Sequence, residues 1–258
     1  MIQQIVREYP PGFGGIERVS HCLAEEIGGT IYFLRDPKAI GYLSDPLLVK
    51  YNRIWLRSIS IGKLFFPLPS KQILRILIDK DPLIGHVPCP TIFFLCLAAS
   101  FFNRSRTVIL YWHALISPKA SLSGFLEFLY QKLAYFFGPF FPVIVTSPVL
   151  KDALLKKGFK EKRLYYLPCS LPHSVEKSYQ IINKERKKIT SIPNVLIAIC
   201  RLDSYKRVDW LIDSFSQSST AKELIIIGDG PDRPKLEYLS NKIKRSNQTI
   251  RFYGTVDE

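Results

Sequence analysis

A chain of 258 residues with 47% apolar side chains can build one large domain or two ordinary ones around real cores, and its composition excludes a disordered protein. The formal charge of +14 is concentrated: residues 151–190 carry eleven Lys and Arg against four Asp and Glu, so eleven minus four supplies +7 of it. Five cysteines without a C-x-x-C pair exclude a disulfide framework and fit a reducing cytosol, and four scattered histidines without paired spacing indicate no metal.

The basic stretch suits nucleic acid, an anionic membrane surface or phosphorylated substrates, and equally a solvated linker face. No recognition-helix pattern, RNP-like aromatic motif or zinc-finger spacing accompanies it, which argues against nucleic acid. Two uncharged segments, 82–103 and 133–150, are interrupted by Pro88 and Pro90 and by Gly138, Pro139, Pro142 and Pro148. They read as buried strands and helices rather than membrane spans. The opening MIQQIVREYPP lacks the basic region and apolar core of a signal peptide.

In chain order, a short strand is predicted at 4–6, followed by the glycine-rich turn YPPGFGGIE at 9–17. A helix follows with Ile16, Val19, Leu23 and Ile27 on one face, ending at Gly28-Gly29, and then a strand at 30–34. Further strands are predicted at 83–87, 107–111, 143–146 and 164–167, with helices between. In SPVLKDALLKKG, Ser147 can cap, Pro148 suits the first helical position and Gly158 the exit. From 168 to 192 the period lapses into polar, basic sequence, which marks a linker.

The alternation then restarts with a strand at 194–200, a helix at 206–215, a strand at 223–228, a helix at 231–245 and a strand at 249–254. Strands alternating with helices predict α/β architecture with parallel sheets. The division is an amino-terminal Rossmann-like domain over 1–170, a basic linker over 171–192, and a second domain over 193–258. That βαβαβ segment is half of a doubly wound nucleotide-binding domain, well short of a typical domain of roughly 150 residues, so the second domain is expected to be incomplete.

Ligands of open α/β domains sit at the carboxyl ends of strands. Arg201 and Lys206 follow the 194–200 strand, and two cations beside a helix amino terminus suit a diphosphate, although they are also ordinary surface charges. Gly228-Asp229-Gly230-Pro231 follows the next strand, where the glycines allow close approach to a ligand or simply make a turn. Gly254-Thr255-Val256 follows the third, with main-chain groups available to a base. The three turns converge on one end of the sheet.

GGIE (14–17), His113 in YWHAL, TSPVLKDALLKKG (146–158), YYLP (165–168), RLDSYKRVDWLI (201–212), IIIGDGP (225–231) and IRFYG (250–254) occur in an order that resembles the retaining nucleotide-sugar glycosyltransferases of the GT-B type, glycosyltransferase family 4. The resemblance runs the length of the chain and is strongest to enzymes of lipopolysaccharide, O-antigen or capsule assembly, with His86-Val-Pro-Cys-Pro90 standing for their H-x-P-x-P segment. It implies two Rossmann-like domains, a nucleoside diphosphate sugar as donor substrate with no cofactor or metal, and a glycan or lipid-linked acceptor. It implies that Arg201 and Lys206 hold the donor diphosphate, that His113 bonds a donor-sugar hydroxyl, and that Gly14 and Gly15 allow close approach. Gly228, Gly230, Pro231, Gly254 and Val256 would complete the donor site. Glu17 and His86 would lie on the acceptor side, with Glu17 anchoring the helix start or touching the acceptor. The location implied is cytoplasmic and peripheral on the inner face of the membrane.

This chain departs from the pattern at Cys200, where the family has glycine, and at Pro168-Cys-Ser170, where it often has P-N-G. The family's E-x7-E motif would lie beyond Gly254. Two other readings stand beside this one: a catalytically incomplete nucleotide-binding module, and a dinucleotide oxidoreductase suggested by Gly12, Gly14 and Asp36. The second conflicts with Glu17 at the third fingerprint position.

Overall fold

The computed structural model describes residues 1–10, 14–36, 49–61, 64–116, 122–169, 194–243 and 246–256. The chain divides into two compact units, Met1–Pro172 and His173–Glu258. The expected linker at 171–192 and the Gly12-Phe13 part of the first turn lie outside the described residues.

The first unit runs β1 (Gln3–Val6), α1 (Gly15–Ile27), β2 (Thr30–Phe33), β3 (Asn52–Trp55), β4 (Ser58–Ile61), β5 (Leu64–Pro67), α2 (Lys71–Ile78), β6 (Leu83–Val87), α3 (Pro90–Phe102), β7 (Val108–Trp112), α4 (Leu122–Phe137), β8 (Val143–Val145), α5 (Pro148–Leu155) and β9 (Leu164–Tyr166). Seven strands form one parallel sheet in the order β3-β2-β1-β6-β7-β8-β9, and β4 and β5 make a separate antiparallel hairpin. The order reverses between β1 and β6, so their carboxyl ends flank a topological switch point, the usual place for a ligand.

Period-two alternation sorts the strand side chains into two layers. Ile5, Leu83, Val87, Leu110, Trp112, Val143 and Val145 share a core with Phe93 and Cys96 of α3, Tyr130 and Ala134 of α4 and Leu154 of α5. Val6, Ile31 and Phe33 pack with Ala24 of α1 on the opposite face. Gln4, Ile84, His86, Tyr111 and His113 have the parity of this second face.

Helix α1 is rotated from the expected orientation. Its buried stripe is Glu17, Ser20 and Ala24, Ile16, Val19 and Leu23 are half-buried, and Ile27 is 45% exposed. Small side chains at Ser20 and Ala24 bring the helix backbone close to the sheet. Helix α5 starts as expected: Ser147 Oγ accepts the Leu150 N–H at 3.2 Å and Pro148 takes the first turn.

The second unit runs β10 (Val195–Ile199), α6 (Val208–Gln217), β11 (Glu223–Ile227), α7 (Arg233–Ile243) and β12 (Thr249–Gly254). The strands are parallel in the order β10-β11-β12 around a core of Leu202, Val208, Ile212, Phe215, Leu224, Ile226 and Leu236. A short 3-10 turn, Ser204–Lys206, precedes α6, so Lys206 stands before the helix rather than on its first turn. Pro231 likewise stands two residues ahead of α7.

The uncharged 82–103 and 133–150 segments read as buried strands and helices, yet Phe101 and Phe102 in the first are 71% and 65% exposed, and Phe136 and Phe140 in the second are each 68% exposed. Among the described residues no helix is long and apolar enough to cross a membrane.

Candidate active site

In the first unit, strand parity brings Gln4, His86 and His113 together beneath α1. The His113 N–H donates to Val87 O at 2.9 Å, continuing the ladder and fixing the residue at the carboxyl end of β7. Its ring stacks on Tyr111 at 4.4 Å between centroids and on His86 at 5.1 Å. His113 Nε2 lies 2.9 Å from His86 Nδ1, and His86 Nε2 lies 2.8 Å from Gln4 Oε1. Gln4 Nε2 donates to the Ser20 carbonyl of α1 at 3.2 Å. Sequence reasoning missed Gln4; the available signal was a polar residue inside the apolar strand QQIV.

Burial holds the His113 imidazole at about 4, well under the usual histidine range. Burial also holds His86 well below the usual histidine range, and a proton on His113 would repel one on His86. Both rings are therefore neutral at pH 7. A group whose folded value lies below its unfolded one binds fewer protons when folded, so its stability contribution is full above the unfolded value of about 6.5 and is lost as pH falls through the folded value. His113 alone is expected to cost the fold about 3 kcal/mol between pH 6.5 and 4. Denaturant titrations should show that slope in the native chain and a shallower one in His113→Gln; equal slopes would refute the assignment.

His86 is 1% exposed and reaches the end of the sheet only through His113, so it offers no surface to an acceptor. Glu17 is also buried, at 4%, and its Oε1 accepts the Glu8 N–H at 3.3 Å. Its other oxygen fills the place a side chain on Gly14 would take, 2.1 Å from a Cβ there. Burial pushes the Glu17 carboxyl up, an effect that Arg7 and backbone N–H groups partly offset. The chain's own carboxylate thus occupies the start of α1, where a dinucleotide fingerprint would receive a pyrophosphate. Among the described residues, nothing lies within 4 Å of a Cβ added to Gly15.

In the second unit, Leu202 is fully buried and anchors the β10–α6 loop, with Arg201 and Asp203 on either side of it. Arg201 Nε pairs with Asp203 at 2.8 Å while the Arg201 side chain stays 71% exposed. Lys206 Nζ stands 5.1 Å over the Tyr205 ring and makes no ion pair among the described residues. Arg207 is committed elsewhere: it makes two hydrogen bonds to Asp209 and lies 3.6 Å over Trp210.

The glycines of the next turn have a use inside the fold. Gly228 has φ +127°, and a Cβ there would sit 2.0 Å from the Cys200 carbonyl oxygen; one on Gly230 would meet Leu202 backbone atoms at 2.5–2.8 Å. Both permit close approach of the 200–202 backbone. Hydrogen bonds stitch the two loops: Cys200 N–H to Ile227 O, Leu202 N–H to Asp229 O and Asp232 N–H to Leu202 O, each at 3.0 Å. Gly228 N–H also donates to Gly254 O at 2.7 Å, which brings the third turn, with exposed Val256, beside the first two. Arg201 thus rides on a loop held by Gly228 and Gly230.

The sequence matches no protein-family model and no curated protein. Solved structures do match. HepE of Anabaena in complex with UDP-glucose superposes with a TM-score of 0.70 at 18% identity, over 99% of this chain and 69% of that one. The lipopolysaccharide outer core galactosyltransferase WaaB gives 0.54 at 17%, over 100% and 69%. A glycosyltransferase from Rickettsia africae gives 0.58 at 15%, over 99% and 68%. The chain has the fold of these proteins. It is the GT-B type of α/β fold, represented here by a seven-stranded unit and a three-stranded one.

Proposed function

We propose that the chain transfers a sugar from a nucleoside diphosphate sugar to a glycan or lipid-linked acceptor in surface-polysaccharide assembly, with retention of anomeric configuration. The observation that carries this reading is the cationic loop 201–206 at the carboxyl end of β10, seated on the Gly228–Gly230 turn. It stands in a fold whose solved examples hold UDP and UDP-glucose. Arg201 and Lys206 take the donor diphosphate and meet the negative charge that develops as it leaves. The Arg201 side chain is 71% exposed while its Nε is paired with Asp203, which leaves the guanidinium accessible to phosphate oxygens. His113, neutral and fixed by its stacking, bonds a hydroxyl of the transferred sugar. Gly254 and Val256 offer main-chain groups to the base, and Gly15 accommodates the donor. The reading assigns no metal or other cofactor.

The test is incubation of the chain with UDP-glucose and lipid-linked glycan acceptors, following UDP release and the product anomer by NMR. Transfer with retention is expected. An inverted product would overturn retention, and failure to bind UDP would overturn the whole reading.

The reading includes a peripheral location on an anionic membrane face. Helix α4 exposes Phe125, Phe128, Leu129 and Phe136, an apolar face interrupted by Lys132. Lys132 and Lys157 lie over the Phe128 and Tyr135 rings in a shallow groove between them. Aromatic side chains with lysines among them suit the boundary between headgroups and acyl chains. Phe125→Ser with Phe136→Ser should reduce sedimentation with phosphatidylglycerol vesicles by at least about tenfold, given the apolar area removed. Unchanged sedimentation would place the contact elsewhere.

A further inference from the structure

The four groups from α1 to His113 form a directional hydrogen-bond chain, and its direction follows from donor and acceptor chemistry. The Ser20 carbonyl can only accept, so the Gln4 amide turns its NH2 to it, at 3.2 Å, and its oxygen to His86. The reverse orientation would set two carbonyl oxygens against each other. Gln4 Oε1 can only accept as well, so the single proton of neutral His86 sits on Nε2, 2.8 Å away. His86 Nδ1 is then bare and accepts, so His113 carries its proton on Nε2, 2.9 Å from it. His113 Nδ1 is left bare, with no hydrogen bond among the described residues.

We propose that Gln4 is a positioning residue that, through His86, holds His113 in the Nε2–H tautomer, so that His113 meets its substrate with a hydrogen-bond acceptor at Nδ1. The group it takes is therefore a donor, a sugar hydroxyl, and not a carboxylate, carbonyl or phosphate oxygen. The tautomer stands on the geometry alone; the word sugar rests on the glycosyltransferase reading.

Burial strengthens the constraint. His86 and Gln4 are each about 1% exposed, so water does not compete for the two inner bonds. The interior has no spare proton, because both rings titrate far below neutrality. A His113→Asn or Gln replacement could mimic one of the two nitrogens but not both at the ring's spacing.

The experiment is nitrogen-15 NMR of the histidine side chains in the full chain at pH 7, without ligand, with UDP and with UDP-glucose. His113 is expected to show a protonated Nε2 and a bare Nδ1, with Nδ1 moving on addition of UDP-glucose and not of UDP. Gln4→Leu removes the fixed acceptor; His113 should become a tautomer mixture and kcat/KM should fall about tenfold, the value of one neutral hydrogen bond. Gln4→Glu, protonated by its burial, donates its O–H to the Ser20 carbonyl and keeps its other oxygen as an acceptor facing His86, so it should restore the single tautomer and most of the rate. A His113 protonated at Nδ1 in the native chain, or an unchanged tautomer in Gln4→Leu, overturns the proposal even if the leucine variant is too unstable for kinetics. If UDP-glucose binds without moving Nδ1, the hydroxyl assignment falls while the tautomer stands. If UDP-glucose does not bind, the glycosyltransferase reading fails instead.

Discussion

Arg201→Ala weakens UDP binding by about 10- to 100-fold, the loss of about 1.5–3 kcal/mol expected for hydrogen bonds to a charged group, and it lowers transfer further. The larger effect on transfer follows because the leaving diphosphate gains charge as the sugar departs, and removing one prearranged stabilising group of that kind costs about 10²- to 10³-fold in rate. Lys206→Ala acts in the same direction with a smaller step, since an ammonium meets the phosphate as a point charge where the guanidinium can grip two oxygens. Arg201→Lys separates the two terms by keeping the charge and losing the fork. Arg201 is largely exposed and Lys206 is exposed, so thermal stability should stay within about 0.5 kcal/mol of the native chain. Asp203→Asn serves as the control: it releases Arg201 from its internal partner and should leave UDP affinity equal or higher. Titration calorimetry with UDP decides the matter, and an affinity for Arg201→Ala within threefold of native would remove the diphosphate from this loop.

Gly228→Ala disables the second unit by a different route. Its Cβ would fall 2.0 Å from a backbone oxygen, at a φ of +127° that side chains rarely adopt, so relief requires the Cys200–Leu202 segment to move. Backbone strain of this kind costs about 1–3 kcal/mol, and displacement of the stitched loop adds to it, for a total of at least about 3 kcal/mol. Two consequences are expected together in the full chain: unfolding of the second unit at lower denaturant concentration, and weaker UDP binding because Arg201 moves with its loop. Gly15→Ala is the matched comparison. Nothing among the described residues lies within 4 Å of the added methyl and Gly15 begins a helix, so stability should be unchanged or slightly raised. A Gly228→Ala chain as stable as native would mean that the close approach of the two loops is not needed.

Much of the architecture was legible because parallel strands are continuous apolar runs and the helices between them carry their own start signals. Leu83–Val87 and Thr249–Gly254 match their predicted bounds, and Ser147-Pro148 begins α5 as its chemistry requires. The pieces that escaped, β3, the β4–β5 hairpin and the eight-residue α2, are short and partly exposed, so their pattern is too brief to stand out. The glycine turn at 228–230 is legible, but the neighbour it serves is not: an absent Cβ serves a neighbouring backbone as well as a ligand, and the 200–202 backbone that lies against it is invisible in sequence. His86 was expected to face an acceptor, whereas strand parity, available from the sequence, sets it on one face with Gln4 and His113. The missing step was to ask which polar residues of different strands share a face.

The composition of strand β10 has a consequence for the layers around it. Its sequence VLIAI is that of an interior strand, yet among the described strands it pairs only with β11, and Ile197 and Ile199 are 61% and 75% exposed. Nothing within it blunts the open row of amides and carbonyls: it contains no charge, no proline and no bulge. A strand of this composition suits a parallel sheet that is paired on both edges and covered by helices on both faces, so β10 has the makings of a central strand.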